Sequence, residues 1–486
     1  MTSPLSGLEP ALVWRHFDDL RRIPRPSKQE ERVLRHLDTW AEAQGFSVRR
    51  DAAGNRVIAV PATEGRGEAP TVVLQAHVDM VCEKNRGVDF DFETQPIEVT
   101  VDGDWVRARG TTLGADNGIG AAMALAAASD PAAPHGPLEL LMTVDEETGL
   151  NGAAALDPSI VEGRLLVNLD TEEEGAIYVG CAGAAGVEGR LTVARDDGGG
   201  EPYELAVTGL SGGHSGMDIH TNRGNAVVIL AHLLEAALGA GADFGLVRFQ
   251  GGDKANAIPR EAFAEVRLNP AGRSTLETIL ADRRPTLLER YGATDPRLRV
   301  ELRPAPEPSP WQPLTNDDRD RWLRLLTAAP HGVLAMSTDV PGLVETSNNL
   351  ALAQLGEDGG HVVCAMRSSS NPALGDAGQS IAALMALAGA DVHRREGYPG
   401  WTPNPSSPLL ARTVAVHADL FGEPPEVKGI HAGLECGILA AKLHGLDAVS
   451  FGPDIRGAHS PDERVSIGAV ARSQRLLLAL LDALSA

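Results

Sequence analysis

The sequence predicts an α/β fold: a domain with a mainly parallel sheet flanked by helices, plus an inserted α+β domain. Three observations carry this. Short apolar runs alternate with helix-period runs over the first third of the chain, the texture shifts to alternating strands after Gly186, and an apolar run of the first kind returns at Asp447 to Phe451. A chain of 486 residues also exceeds what one core supports, and its 43% apolar content can fill two. The expected division is 1–184 with 398–486 for the first domain and 185–397 for the insertion.

The elements follow in order. Ser27 and Glu30 have the spacing of a capping box, and Val33, Leu34, Leu37, Trp40 and Ala41 then recur at helical period until Gly45. Apolar runs at Thr71 to Ala76, Leu138 to Val144 and Leu165 to Leu169 read as buried strands, with a small-residue helix from Asn117 to Ala128 between the first two. Beyond the glycine-rich stretch Gly180 to Gly186, strands are expected at Arg190 to Ala194, Tyr203 to Thr208 and Ala262 to Leu268, and a helix at Ala226 to Leu238. Asp196 to Gly200 and the proline-rich segment 303–315 read as loops. Four prolines between Gly397 and Pro408 mark the return to the first domain.

Composition excludes some partners. A formal charge of −23 leaves no basic surface for nucleic acid or an anionic membrane. Cys82, Cys181, Cys364 and Cys436 are far apart and form no CxxC pair, which fits free thiols in a reducing compartment, so the cytoplasm is expected. Residues 1–22 carry Arg15, Asp18, Asp19, Arg21 and Arg22 without a sustained apolar stretch, and predict neither a signal peptide nor an anchor.

The chemistry gathers at the ends of apolar runs. His77, Asp116, Glu147, Asp170 and His459 form a mixed nitrogen and oxygen set that suits a pair of Zn²⁺ ions. Ligands in open α/β sheets sit beyond the carboxyl ends of the strands, where His77, Glu147 and Asp170 are all expected. Asp79, two residues after His77, is placed to hold the second imidazole nitrogen, although an HxD alone equally describes an ordinary histidine beside a solvated acid. Asp145, Glu146 and Glu147 are consecutive acids that repel one another unless a cation or open solvent compensates. Because neighbouring side chains diverge, Glu147 is read as a ligand and Glu146 as the general base. Asp116 on its own reads as a plain N-cap, and Asp170 and His459 as turn residues; only the combination is specific.

At this point the residues resemble a known family. LQAHVDMVCEKN, GTTLGADNGIGAA, TVDEETGLNGA, NLDTEEEGAIYVGCAGA, GLSGGHSGMDIH, GGDKANAIPREA, HAGLECGIL and SFGPDIRGAHSPDE are similar, in order and over nearly the whole chain, to the aminoacyl-histidine (Xaa-His) dipeptidases of the two-zinc, aminoacylase-like metallopeptidases. The resemblance implies that His77 and Asp170 hold one Zn²⁺, Glu147 and His459 the other, and Asp116 bridges them, with Mn²⁺ or Co²⁺ as possible substitutes. It further implies a cis peptide after Asp116, a lid and dimerisation role for the insertion, a homodimer, and dipeptide substrates of the carnosine type. His214 would reach the scissile carbonyl oxygen, and Asn256, Arg367 and Gly433 the rest of the substrate. A guanidinium at Arg367 suits the C-terminal carboxylate that a free dipeptide carries.

Other readings compete. A related tripeptidase or N-acyl amino acid amidohydrolase would use the same metal set. Gly209-Leu210-Ser211-Gly212-Gly213 satisfies GxSxG, but a nucleophile elbow should pass directly into a helix, whereas glycines continue here. Met123 occupies the third glycine position of a GxGxxG, which weakens a nucleotide site. A non-catalytic zinc protein would have no need of Glu146.

Overall fold

Buried strands and alanine-rich helices organise the first of two units in the computed structural model, which describes residues 3–486. That unit comprises Met1–Gly180, Trp401–Gly429 and Leu434–Ala486; the second comprises Cys181–Gly400 and Ile430–Gly433. Residues 430–433 therefore depart from the division read from sequence, which kept 398–486 together. Their backbone explains it, since the amide of Ala182 donates to the carbonyls of both Ile430 and Ala432.

An eight-stranded sheet runs through the first unit. Its centre is parallel: Val72–His77 lies between Leu138–Thr143 and Leu165–Asn168, and Asp447–Ser450 adds beside the latter. Both faces of Val72–His77 and Leu138–Thr143 are buried, which is why these segments read as continuous apolar runs. Antiparallel pairs bound this centre: Arg56–Val60 joins Leu138–Thr143 on one side, and Ala176–Cys181 joins Asp447–Ser450 on the other.

The helix Ala115–Ser129 packs on the strand Val72–His77 and against the helices Ala11–Leu20 and Ile467–Ser485. Its small residues permit close approach: a Cβ on Gly120 would lie 2.3 Å from the Leu169 carbonyl oxygen. The helix Glu31–Gln44 ends at Gly45 in the left-handed conformation, as the sequence predicts. Its start is different. Glu30 makes no side-chain cap, and the Ser27 hydroxyl donates 2.8 Å to Asp79 Oδ2 instead, so the expected capping box is replaced by a tether to the sheet end.

A small antiparallel sheet completes this unit, with the hairpin Ile455–Arg456 and Arg464–Ser466 pairing through its second strand with Trp105–Ala108. The turn of that hairpin carries His459.

The second unit is built on an antiparallel nine-stranded sheet, through Arg299–Pro304, Glu201–Thr208, Ala262–Leu268, Phe244–Gly251, Val344–Gly356, Gly359–Ser368, Gly183–Leu191 and Asp391–Tyr398, with Gly332–Met336 pairing Val344–Gly356 off this path. Helices Ala226–Gly239 and Asn316–Ala328 pack against each other, with Trp322 and Phe249 in the core they share with the sheet. The strand expected at Arg190 to Ala194 begins earlier and ends at Leu191. The glycines that suggested a break are strand residues: a Cβ on Gly183 would lie 2.4 Å from the Gly400 amide nitrogen, so close backbone approach requires glycine there.

Candidate metal centre

The parallel centre of the sheet delivers three loops to one place. His77 ends its strand, Glu146 and Glu147 follow Leu138–Thr143, and Asp170 follows Leu165–Asn168. Asp116 arrives from the start of the helix Ala115–Ser129 and is followed by a cis peptide bond to Asn117; the backbone angles of both residues are non-helical. His459 arrives from the hairpin turn.

Among the described residues, three groups bring ligand atoms within 4.8 Å of one another: His77 with Asp116 and Asp170, His77 with Glu146 and Glu147, and Asp116 with Glu147 and His459. Asp116 divides its oxygens between two of them. Its Oδ1 lies 3.0 Å from His77 Nε2, and its Oδ2 lies 3.1 Å from His459 Nε2. His77 Nε2 is also 3.4 Å from Asp170 Oδ1, and His459 Nε2 is 3.1 Å from Glu147 Oε2. One carboxylate thus has an imidazole and a second acid on either side.

Asp79 sits beneath this cluster, fully buried, and gathers three hydrogen-bond donors and one imidazole. His77 Nδ1 approaches its Oδ1 at 3.3 Å without the alignment of a formal hydrogen bond, and the Glu146 amide donates to the same oxygen at 3.1 Å. Ser27 and the Glu147 amide serve Oδ2, the latter at 3.2 Å. Burial works against its charge, yet the contacts from His77, Ser27 and the Glu146 amide hold its carboxyl down to about 2. Asp79 therefore fixes both the imidazole and the loop that carries the two glutamates.

Several supports were not read from the sequence. Arg25 is buried and donates to the carbonyls of Val78, Asp79 and Gly114, at 2.9, 2.7 and 2.5 Å. Glu30 accepts the Asp145 amide at 2.9 Å. Glu435 accepts from Gln75 and Thr143 below the strand ends, and Glu463 receives backbone amides around Asp116. The one local signal for Arg25 is its position between Pro24 and Pro26, which stiffens the strap; the two acids offered none.

The residues fit a pair of divalent cations. Two imidazoles and three carboxylates supply a borderline donor set, and the buried Glu147 Oε1 has no hydrogen-bond partner. The electrostatics agree. Without cations, burial and the Asp116 charge push Asp170 up to about 6, and burial with Asp116 and Asp170 pushes Glu172 up to about 8. Contacts with Asp116 and Glu147 push His459 up to about 11. A cluster in which burial and mutual repulsion disfavour the ionised carboxylates is one that positive charge stabilises. Glu146, whose carboxyl burial and neighbouring acids also raise, makes no side-chain hydrogen bond to a fixed donor among the described residues.

The second unit gathers its own polar cluster. His214 pairs with Ala257 in a two-stranded ladder, and the neighbouring Asn256 carbonyl accepts the Ser215 amide at 2.8 Å. His214 Nδ1 receives the amides of Gly216 and Met217, at 3.3 and 3.0 Å, which leaves the ring proton on Nε2. Burial and then Arg367 lower its pKa, so it is a neutral donor. Arg367 brings a guanidinium nitrogen 3.4 Å from that Nε2, a donor facing a donor in this tautomer and so not a hydrogen bond, and donates from its other terminal nitrogen to the Tyr398 hydroxyl at 3.3 Å. A Cβ on Gly433 would lie 2.6 Å from the same hydroxyl, so this glycine makes room for it. Ser211, the serine of GxSxG, donates to the Thr294 carbonyl at 2.8 Å and leads into the strand Gly213–His214 rather than a helix. It has no nucleophile elbow.

The model of Peptidase family M20/M25/M40 matches residues 73–483. The chain is 40% identical over 481 residues to the cytosol non-specific dipeptidase of Escherichia coli, covering 99% of each. The crystal structure of aminoacylhistidine dipeptidase from Vibrio alginolyticus superposes with a TM-score of 0.92 at 40% identity, covering 99% of this chain and 98% of the other. Aminopeptidase PepT from Bacillus cereus shares the fold, with a TM-score of 0.56 at 16% identity and 99% of this chain covered. A family match over most of its length, ending beyond His459, places this chain in Peptidase family M20/M25/M40.

Proposed function

We propose that the protein is a metal-dependent dipeptidase whose centre holds two Zn²⁺ ions, one between His77 and Asp170 and the other between Glu147 and His459, with Asp116 shared. The observation that carries this reading is the division of the Asp116 oxygens between two imidazoles, at 3.0 and 3.1 Å. Ions bound there would lower the pKa of a shared water towards about 7 and polarise the amide carbonyl.

The chain's own groups then have separable tasks. Glu146 takes the proton from the water and returns it to the leaving amine, a role suited to a carboxyl whose pKa is raised. Asp79 keeps His77 and the Glu146 backbone in register. His214, fixed as an Nε2 donor, supplies a hydrogen bond to the carbonyl oxygen as negative charge develops, and Arg367 binds the C-terminal carboxylate. Asn256 and Gly433 are proposed to contact the remainder of the dipeptide.

The proposed substrates include Xaa-His dipeptides with a preference for histidine, following the sequence resemblance; the E. coli relative is named as non-specific, so breadth is the open axis of the assay. A cytoplasmic homodimer is proposed as well, and no described helix is long and apolar enough to cross a membrane. The test is a panel of dipeptides, with and without histidine at the second position, on protein stripped by chelator and restored with Zn²⁺, Mn²⁺ or Co²⁺. Turnover that vanishes on stripping and returns with metal is expected; dipeptide hydrolysis that survives complete stripping refutes the proposal.

A further inference from the structure

The hairpin turn that presents His459 also carries a buried acid four residues later. Glu463 is 2% exposed and immediately precedes the strand Arg464–Ser466. Its carboxylate accepts four consecutive backbone amides: Leu113 and Gly114 on Oε2, at 2.6 and 2.9 Å, and Ala115 and Asp116 on Oε1, at 2.7 and 3.2 Å.

Those amides belong to the start of the helix Ala115–Ser129, where the first donors have no partner within the helix. Asp116 has non-helical backbone angles, φ −79° and ψ 110°, so the helix does not by itself set where its side chain points. Arg25 takes the Gly114 carbonyl of the same stretch. The loop is thus held by its amides from the hairpin turn and by a carbonyl from the N-terminal strap.

We propose that Glu463 is a positioning residue that ties the shared carboxylate of Asp116 to the His459 loop, so that affinity for the second cation, between Glu147 and His459, depends on it. The turn grips residue 116 twice: His459 meets the side-chain Oδ2 at 3.1 Å, and Glu463 meets the backbone amide at 3.2 Å. His459, whose side chain is 58% exposed and meets Asp116 and Glu147 through Nε2, is carried by a hairpin paired to Trp105–Ala108, so Glu463 is the direct backbone tie between that turn and the Asp116 stretch. The site of His77 and Asp170 also takes Asp116, but its other two groups stand at strand ends of the sheet, so it shares this dependence only through one ligand, whereas the second site has both Asp116 and the His459 turn at stake. The inference rests on the two-cation reading above.

The experiment uses Glu463→Gln, which keeps the shape but turns an amide N–H towards two backbone donors. Metal-free wild-type and variant chains are titrated with Mn²⁺ and the bound metal is counted per chain by mass spectrometry, with circular dichroism confirming the fold. We expect two ions on the wild type. On the variant the second should bind at least about tenfold more weakly, the usual scale for loss of a group that orients a ligand, and should lose more affinity than the first. A purely structural acid would lower stability without this selective loss. Equal affinity of both chains for both ions overturns the inference and leaves the dipeptidase reading intact; a wild type that takes up only one ion overturns the two-cation reading and this inference with it.

A second measurement covers a variant that fails to fold. In metal-free wild-type protein, hydrogen exchange at the amides of residues 113–116 should be strongly slowed. Exchange at the rate of an open chain refutes the clamp.

Discussion

Replacing Asp79 by asparagine removes one acceptor from a carboxylate that accepts three hydrogen bonds and lies 3.3 Å from His77 Nδ1. Both oxygens are fully engaged: His77 Nδ1 and the Glu146 amide on Oδ1, Ser27 and the Glu147 amide on Oδ2. The introduced amide group must face one of these pairs. It will face Ser27, whose hydroxyl can rotate to accept, and the Glu147 N–H is then left against another N–H. The environment holds the Asp79 carboxyl at about 2 rather than 3.8, a preference for the ionised form worth about 2 kcal/mol, at about 1.4 kcal/mol per unit. Losing it should lower the melting temperature of the metal-free protein by about 4–8 °C. Because the Glu146–Glu147 loop loses its anchor, kcat/KM of the metal-loaded enzyme should fall by about 10–100-fold. Calorimetry and steady-state kinetics on the same preparation check both. A variant with wild-type melting and kcat/KM within about twofold of wild type, well short of the expected scale, refutes the view of Asp79 as the hub.

Four further outcomes are expected. Glu146→Gln should keep two bound ions by mass spectrometry while kcat falls by about 10²–10⁴-fold, because only the proton carrier is lost. Arg25→Met strips the donor from three carbonyls and should cost about 3 kcal/mol or more in denaturant unfolding, at about 1–3 kcal/mol for each buried unsatisfied group. Arg367→Lys replaces a fork with a point charge and should raise KM for dipeptides by about tenfold with little change in kcat, while dipeptide amides, lacking the carboxylate, are hydrolysed equally by both forms. His16 gives a pH signature. Burial, then Arg15 and His36, lower its pKa from 6.5 to about 4, and because the proton of Ser129 is committed to the Leu125 carbonyl, the neutral ring donates from Nε2 to Ser129 at 3.1 Å. The folded state binds this proton less readily than the unfolded one, so the contribution is complete above pH 6.5 and is lost as pH falls towards about 4, roughly 3 kcal/mol in all. His16→Gln should flatten that part of the stability profile.

What the sequence could show was whatever local pattern encodes. Segments such as Val72–His77 advertise burial on both faces, so the strands, and the meeting of His77, Glu147 and Asp170 at their ends, were readable from periodicity and the geometry of parallel sheets. Asp116 and His459 had no such periodic signal; they entered the set as metal-competent residue types, and only the motif resemblance gave each a place beside one ion or both. The supports were hidden for a physical reason. Arg25 reaches Gly114 across 89 positions, Glu463 reaches Ala115 across 348, and Glu435 reaches Gln75 across 360. No window of sequence contains both partners. Ser27 shows the converse error, because a locally sufficient pattern, the capping box, lost to a distant acceptor on Asp79.

Strand order also constrains the timing of synthesis. Leu165–Asn168 and Ala176–Cys181 are close in sequence, yet Asp447–Ser450 lies between them in the sheet. A nascent chain must hold that gap open, with an unpaired parallel edge, while more than half of the polypeptide is still being made. The strand that fills it is followed within ten residues by His459. The last interior strand and the last imidazole therefore leave the ribosome together, so a prematurely terminated product would be both aggregation-prone and unable to cut the peptides around it.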